Sequence, residues 1–276
     1  MPADLGALVE DLAAETVVLQ QILDPLDDDE WQLPTPAPGW TITDQVSHLA
    51  YFDQAAITSA ADPDEFAAEV SRLTAAGVVD PAQIARRYHD MDPAELREWF
   101  ARTRGELLAA FAGLDPALRL PWFGPSMSVA SSLTARLMET WAHGQDIADT
   151  LGVQREPTYR LRHVAHIGVG ARAFSYAAHR LPMPTEPLRV ELAAPSGELW
   201  AWGPPGAANR VTGPALDFCL LVTQRRHRAD TAVVADGADA DQWLSIAQAF
   251  AGPPGAGRLP GQFAAEDRSA GHRTAP

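Results

Sequence analysis

Apolar residues recur at helical spacing through most of this chain and switch to alternation only near its end. Leu5, Leu8, Val9, Leu12, Leu19 and Leu23 mark a first helix that stops before Asp27, Asp28 and Asp29. The stretch LPTPAPGW is an extended connector. Thr41 followed by Asp44 has the spacing of a capping box, and the helix it opens carries Val46, His48, Leu49 and Phe52 to about Ala60. Asp62-Pro63 and Asp80-Pro81 start shorter helices, and Asp92-Pro93 starts a longer one striped by Leu96, Phe100, Thr103, Leu107, Phe111 and Leu114. After the loop DPALRLPWFGPSM, a helix runs through Val129, Leu133, Leu137, Trp141, Ile147 and Leu151 to a glycine stop at Gly152. One more helix, about Leu161 to Leu181, completes an all-helical bundle.

The cluster Pro182, Pro184 and Pro187 marks a change of character. Beyond it LRVELAAP, ELWAWG, NRVTG and TAVVADG read as strands, interrupted by helices from Pro214 to about His227 and from Asp239 to about Phe250. The expected fold class is therefore α+β: a helical domain over residues 1–181 and a smaller α+β domain over residues 188–252. Residues 253–276 show no periodicity, and a disordered tail is expected there.

Composition narrows the chemistry. With 276 residues and 46% hydrophobic content a sizeable core can form. A net charge of −15 leaves no basic face for a phosphate backbone, which argues against nucleic acid as a partner. All 21 basic residues are arginines, so Schiff-base, pyridoxal-phosphate and P-loop lysine chemistry are impossible. Cys219 is the single cysteine, which forbids an internal disulfide or a thiolate metal cluster. Neither a basic-then-apolar leader nor a membrane-length apolar run is seen, so a soluble cytoplasmic protein is expected. HExxH, GxSxG and GxGxxG are all absent, which disfavours zincin, serine-hydrolase and dinucleotide chemistry.

One constellation stands out. Glu139 and His143 lie four apart on one helical ridge, and His48 on the second helix is the natural third ligand. Two imidazoles and one carboxylate suit zinc with a coordination position left open. Such a pair on an ordinary helix also serves as a solvated ridge or a simple hydrogen bond. Here Leu137, Trp141 and Ile147 bracket it, and Leu49 and Phe52 flank His48, so both helices have an apolar side near the polar groups. Asp146, three residues beyond His143, is within reach of a ring nitrogen as a hydrogen-bond acceptor, or else is a solvent-exposed helix acid; Asp44, four before His48, could serve similarly, although its capping role is the simpler account. His163, His166 and His179 share a helix but do not complete a site.

The segments GWTITDQVSHLA and, about ninety positions later, METWAHGQDIA resemble the mycothiol-dependent maleylpyruvate isomerase family, over about residues 3–252. That resemblance implies a DinB-like four-helix metal fold with His48, Glu139 and His143 binding a divalent ion, usually Zn2+. The segment VTGPALDFCLLVTQRRH is similar to a C-terminal helix of the family that often ends in an arginine facing the metal cleft, which Arg225 or Arg226 would supply. The whole looks closest to an actinobacterial metal-binding branch whose C-terminal part has been likened to a wyosine-formation domain. The function implied is a metal-dependent isomerase or S-transferase that uses mycothiol, a low-molecular-weight thiol, on a small electrophilic metabolite. Trp40, Tyr51 and Trp141 are candidates for the apolar walls of the cofactor site, or for core packing. Two alternatives stay open: a metal-dependent hydrolase of a small amide or ester, and a metal-stabilised binding module without catalysis.

Overall fold

The computed structural model describes residues 4–78, 80–263 and 273–274. Between Val153 and Gln154 the chain divides into two compact units. The first contains six helices: α1 (Leu5–Leu23), α2 (Ile42–Ala61), α3 (Pro63–Ala75), α4 (Pro81–Ala85), α5 (Pro93–Phe111) and α6 (Val129–Leu151). Each begins where the sequence supplies a capping side chain. The Thr41 hydroxyl accepts from the Asp44 N–H while the Asp44 carboxylate accepts from the Thr41 N–H. Asp62, Asp80 and Asp92 cap α3, α4 and α5, each with proline at the first helical position, where its missing N–H costs nothing. Gly152 ends α6 in the left-handed region at φ 64°.

The four long helices close into a ring. α1 packs on α6, α6 on α2, α2 on α5, and α5 back on α1. Leu19, Trp31, Ile42, Val46, Leu49, Phe100 and Ile147 form the core between them. Part of the loop expected before α6 is an antiparallel hairpin, β1 (Arg119–Leu120) paired with β2 (Met127–Ser128). Its tip carries Trp122 and Phe123 against Phe66 and Phe52.

A two-residue strand, β3 (Val153–Gln154), lies at the division. The second unit then holds α7 (Leu161–Gly170), α8 (Arg172–Ala178), β4 (Leu188–Ala193), β5 (Leu199–Trp202), β6 (Asn209–Pro214), α9 (Ala215–Val222), β7 (Val234–Asp236) and α10 (Ala238–Ile246). Its sheet runs β5-β4-β6-β7, with β4 and β6 parallel and the other pairs antiparallel. Val190, Leu192, Trp200 and Val211 point to the buried face, while Arg189, Glu191 and Arg210 form an ion cluster on the other.

Three features differ from the sequence reading. The helix expected over Leu161–Leu181 breaks at Ala171, and α7 packs on α9 in the second unit rather than completing the bundle. Its buried stripe Leu161, Val164, Ala165 and Gly168 is apolar whichever partner it meets, so periodicity alone does not choose one. Secondly, α9 stops at Val222. Gln224 turns into the left-handed region at φ 60°, and the N–H groups of Gln224 and Arg225 bond the carbonyls of Leu221 and Leu220. That is a Schellman turn without its usual glycine, hence invisible in the residue pattern. Thirdly, residues 253–263 of the expected disordered tail follow an irregular path in which the Gly261 N–H donates to the Asp230 carboxylate. Residues 264–272 of that tail lie outside the described residues. No helix among the described residues is long and apolar enough to cross a membrane.

Candidate metal centre

The capping box fixes where α2 starts, and so where His48 falls, in the second turn of a helix that packs on α6. Glu139 and His143 meet it from α6. His143 Nε2 stands 3.0 Å and His48 Nε2 3.5 Å from the same carboxylate oxygen, Glu139 Oε2. One ligand atom from each of the three residues lies within 4.8 Å of the others, a spread that a single ion can bridge.

The electrostatics fit a cation. Burial, and then the neighbouring charge of His143, push His48 down to about 3, so its ring is neutral at physiological pH. Both His48 ring nitrogens are buried without a hydrogen-bond partner. A buried, unpaired lone pair is expensive, and a metal ion is the partner that a neutral imidazole nitrogen accommodates best. Burial pushes the Glu139 carboxyl up, but the imidazoles converging on Oε2, His143 at 3.0 Å and His48 at 3.5 Å, overcome it and hold the group well below the usual carboxylate range. A neutral imidazole beside a committed carboxylate is the donor set that a borderline divalent ion takes.

A residue that the sequence reading overlooked orients the second imidazole. The His143 Nδ1 partner is Gln45 Oε1, not the expected Asp146. Gln45 lies one turn before His48 on α2, fully buried. Its Nε2 donates to Thr35 Oγ1 at 2.9 Å, and that hydroxyl in turn donates to the Trp40 carbonyl at 2.9 Å. The Thr35 proton is thereby spent on a group that only accepts. The Gln45 amide must present its NH2 to Thr35 and its oxygen to His143, so Nδ1 carries a proton, and Nε2, hydrogen-bonded to Glu139 at 3.0 Å, is the nitrogen that would turn its lone pair to an ion. Asp44 serves the α2 cap, the simpler of its two expected roles, and meets His89 Nδ1 at 3.3 Å.

Of the three aromatic residues picked for the cofactor site, Trp40 packs against both imidazoles. Its ring lies 5.5 Å from His48, edge-on, and 5.6 Å from His143, stacked. Tyr51 packs 5.3 Å from Phe52 and 6.4 Å from Tyr88, its hydroxyl 3.4 Å from Glu69. Burial, and then the Glu69 charge, push its phenol up to about 12. Trp141 is buried, and its place two residues from each α6 ligand turns it away from their ridge. Phe52, one turn after His48, packs 4.6 Å from that imidazole and was not foreseen as a wall of the site. Arg225 and Arg226 follow the Schellman turn in the second unit, where Arg225 Nη1 donates to the Thr223 carbonyl and Arg226 lies 3.9 Å over the Phe263 ring.

Below the ligands, the bundle holds a polar group contributed by all four long helices. Asp53 on α2 accepts from Arg104 Nε on α5 at 2.7 Å. Arg104 Nη2 donates at 3.0 Å to Thr140 on α6, and Nη1 donates to Thr16 on α1. These side chains are all buried, and each of the three Arg104 nitrogens has an acceptor, which offsets the desolvation of its charge.

Known proteins resemble this chain in sequence and in fold. The family model described as the mycothiol maleylpyruvate isomerase N-terminal domain matches residues 12–148, and one described as wyosine base formation matches residues 184–236. Uncharacterised proteins from two strains of Mycobacterium tuberculosis are 50% identical to this chain over 258 residues, covering 93% of it and 100% of their own length. Two crystal structures of the mycothiol-dependent maleylpyruvate isomerase, one of a histidine-to-alanine mutant, superpose with a TM-score of 0.55 at 17% identity. They cover 84% of this chain and 93% of theirs, so the fold is shared.

Proposed function

The chain belongs to the family defined by the mycothiol maleylpyruvate isomerase N-terminal domain, and from that premise we propose that it is a metal-dependent enzyme using a low-molecular-weight thiol, mycothiol, to isomerise or S-transfer a small electrophilic metabolite. The observation that carries this reading is the convergence of His48, Glu139 and His143, with both His48 nitrogens buried and unpartnered. Those three side chains would hold the ion, with Zn2+ the favoured identity. When bound there, a divalent ion supplies Lewis acidity, lowering the pKa of a thiol that approaches its open side.

The remaining work falls to the chain itself. Gln45 holds His143 in the tautomer that offers Nε2, and Thr35 holds Gln45. Trp40 and Phe52 cover the imidazoles and keep water from their faces, which strengthens every electrostatic contact inside. Arg225 and Arg226 are the groups assigned to a substrate carboxylate, for which a planar guanidinium is suited. Three protein ligands rather than four favour a catalytic over a purely structural ion. The acidic chain and the absence of a membrane-length helix among the described residues support a cytoplasmic enzyme acting on small molecules.

Two experiments test this. His48→Ala should lose bound metal, and full retention would remove the ligand assignment. Incubation with mycothiol and a panel of electrophiles should give product that depends on the thiol. Product formed equally well without thiol would favour a hydrolase instead, and unchanged turnover in Arg225→Ala and Arg226→Ala would remove the clamp.

A further inference from the structure

A guanidinium taken out of water loses the hydration of five N–H donors, and folded chains normally return those bonds from acceptors. Arg104 follows this rule, with Asp53, Thr16 and Thr140 around it. Arg136 does not. It is 5% exposed, yet its Nη1 has no hydrogen-bond partner and stands 3.9 Å from Asp53 Oδ1, an oxygen that also lacks one. The other Asp53 oxygen already belongs to Arg104. One carboxylate therefore faces two guanidiniums and satisfies only the first.

The position of the unsatisfied cation matters. Arg136 precedes Glu139 by three residues and His143 by seven on α6, so the three share one ridge. Its guanidinium carbon lies 5.7 Å from the centre of the Phe52 ring, which also packs 4.6 Å from the His48 imidazole. The charges that act on Arg136 are those of Glu139, Asp53 and Arg104. Two acids against two arginines balance, but only while Glu139 is free to count. With Glu139 committed to a divalent ion, the wall beside the imidazoles carries excess positive charge with a planar donor edge to spare.

We propose that Arg136 is the oxyanion-binding residue of this centre, receiving a carboxylate or phosphate of the ligand through its unused N–H edge. It is distinct from the arginines that follow α9. The inference rests on the reading of this site as one that takes a small-molecule ligand beside a metal ion.

The test uses the full zinc-loaded chain, with acetate and inorganic phosphate as probes in separate calorimetric titrations. Wild type should bind at least one of them saturably, and the preferred probe identifies the group. Arg136→Gln should weaken that binding at least about tenfold, the loss expected for a charge-assisted hydrogen bond, with zinc content unchanged. Arg136→Lys should fall between, since an ammonium keeps the charge but not the fork. No saturable binding to wild type, or equal affinity in Arg136→Gln, would overturn the proposal. Should Arg136→Gln fail to fold, the Arg136 Nε–H resonance of the wild type decides. Assigned by its absence in Arg136→Lys, it should shift on saturation with anion, and a resonance that does not move overturns the proposal. A wild-type chain that takes up no zinc sinks the metal reading alone. The same titration on the metal-free chain then judges Arg136 by the same tenfold criterion.

Discussion

Replacing Gln45 with leucine should weaken metal binding without touching a ligand. The side chain is fully buried and is the acceptor for His143 Nδ1. In the Leu variant that N–H is left without a partner, at a desolvation penalty of about 1–3 kcal/mol. The ring can escape the penalty by moving its proton to Nε2, but Nε2 is the nitrogen that faces Glu139 at 3.0 Å. Either way, metal binding must first restore the costly tautomer. Loss of such an orienting partner typically lowers affinity by about 10–100-fold, or roughly 1.4–2.7 kcal/mol, which matches the penalty above. Thr35→Val should produce a smaller loss, because it frees the Gln45 amide to rotate without removing it. Gln45→Glu should bind at least as tightly as wild type, since a carboxylate makes the imidazole a better base. Affinities are read by competition for Zn2+ against a chromogenic chelator at neutral pH, with circular dichroism to verify the fold. An affinity for Gln45→Leu within about twofold of wild type, on a folded chain, would refute the tautomer argument.

Other perturbations reach the rest of the molecule. Asp53→Asn removes the counter-charge from buried Arg104 and should cost about 3–5 kcal/mol in urea unfolding, whereas a loss under about 1 kcal/mol would mean that the pair is not structural. Burial pushes the Cys219 thiol far up and its Sγ lies 3.4 Å from the Leu161 carbonyl, so an aromatic disulfide reagent should leave the native chain unmodified and titrate one thiol after denaturation. Hydrogen bonds from Arg189 and then Arg210 hold the half-buried Glu191 carboxyl below its ordinary 4.5. A depressed folded pKa stabilises above the unfolded value and loses that contribution as pH falls through the folded one. The Tm difference between wild type and Glu191→Gln should therefore be full at pH 6 and shrink progressively as pH falls below 4.5, and a difference that does not diminish on acidification would contradict the pairing.

Much of the fold, and the three ligands, could be read from residues because each rests on a local rule. Caps and glycine stops depend on a few neighbouring residues, so α2, α3 and α5 begin, and α6 ends, within a residue of where Thr41, Asp62, Asp92 and Gly152 put them. Glu139 and His143 are visible for the same reason, since a helix converts a spacing of four into a shared ridge. What stayed hidden depends on partners distant in sequence. Gln45 looks like any polar residue in a first turn until α6 brings His143 across 98 positions to its oxygen. Asp146 has the spacing of an orienting acid, but spacing says nothing of a competitor from another helix. The partner of α7 was hidden in the same way. Gly168 leaves room for close helix packing, yet nothing in the residues around it names Val222, whose Cγ2 would lie 2.7 Å from a Cβ built there. Arg136 is the instructive case. Its identity is plain in the sequence, but its significance is an unmet demand for acceptors, which only appears once Arg104 has claimed the one carboxylate that both could use. A site is legible from sequence as far as its residues are fixed by their own helix. Competition between helices for the same atoms is where that legibility ends.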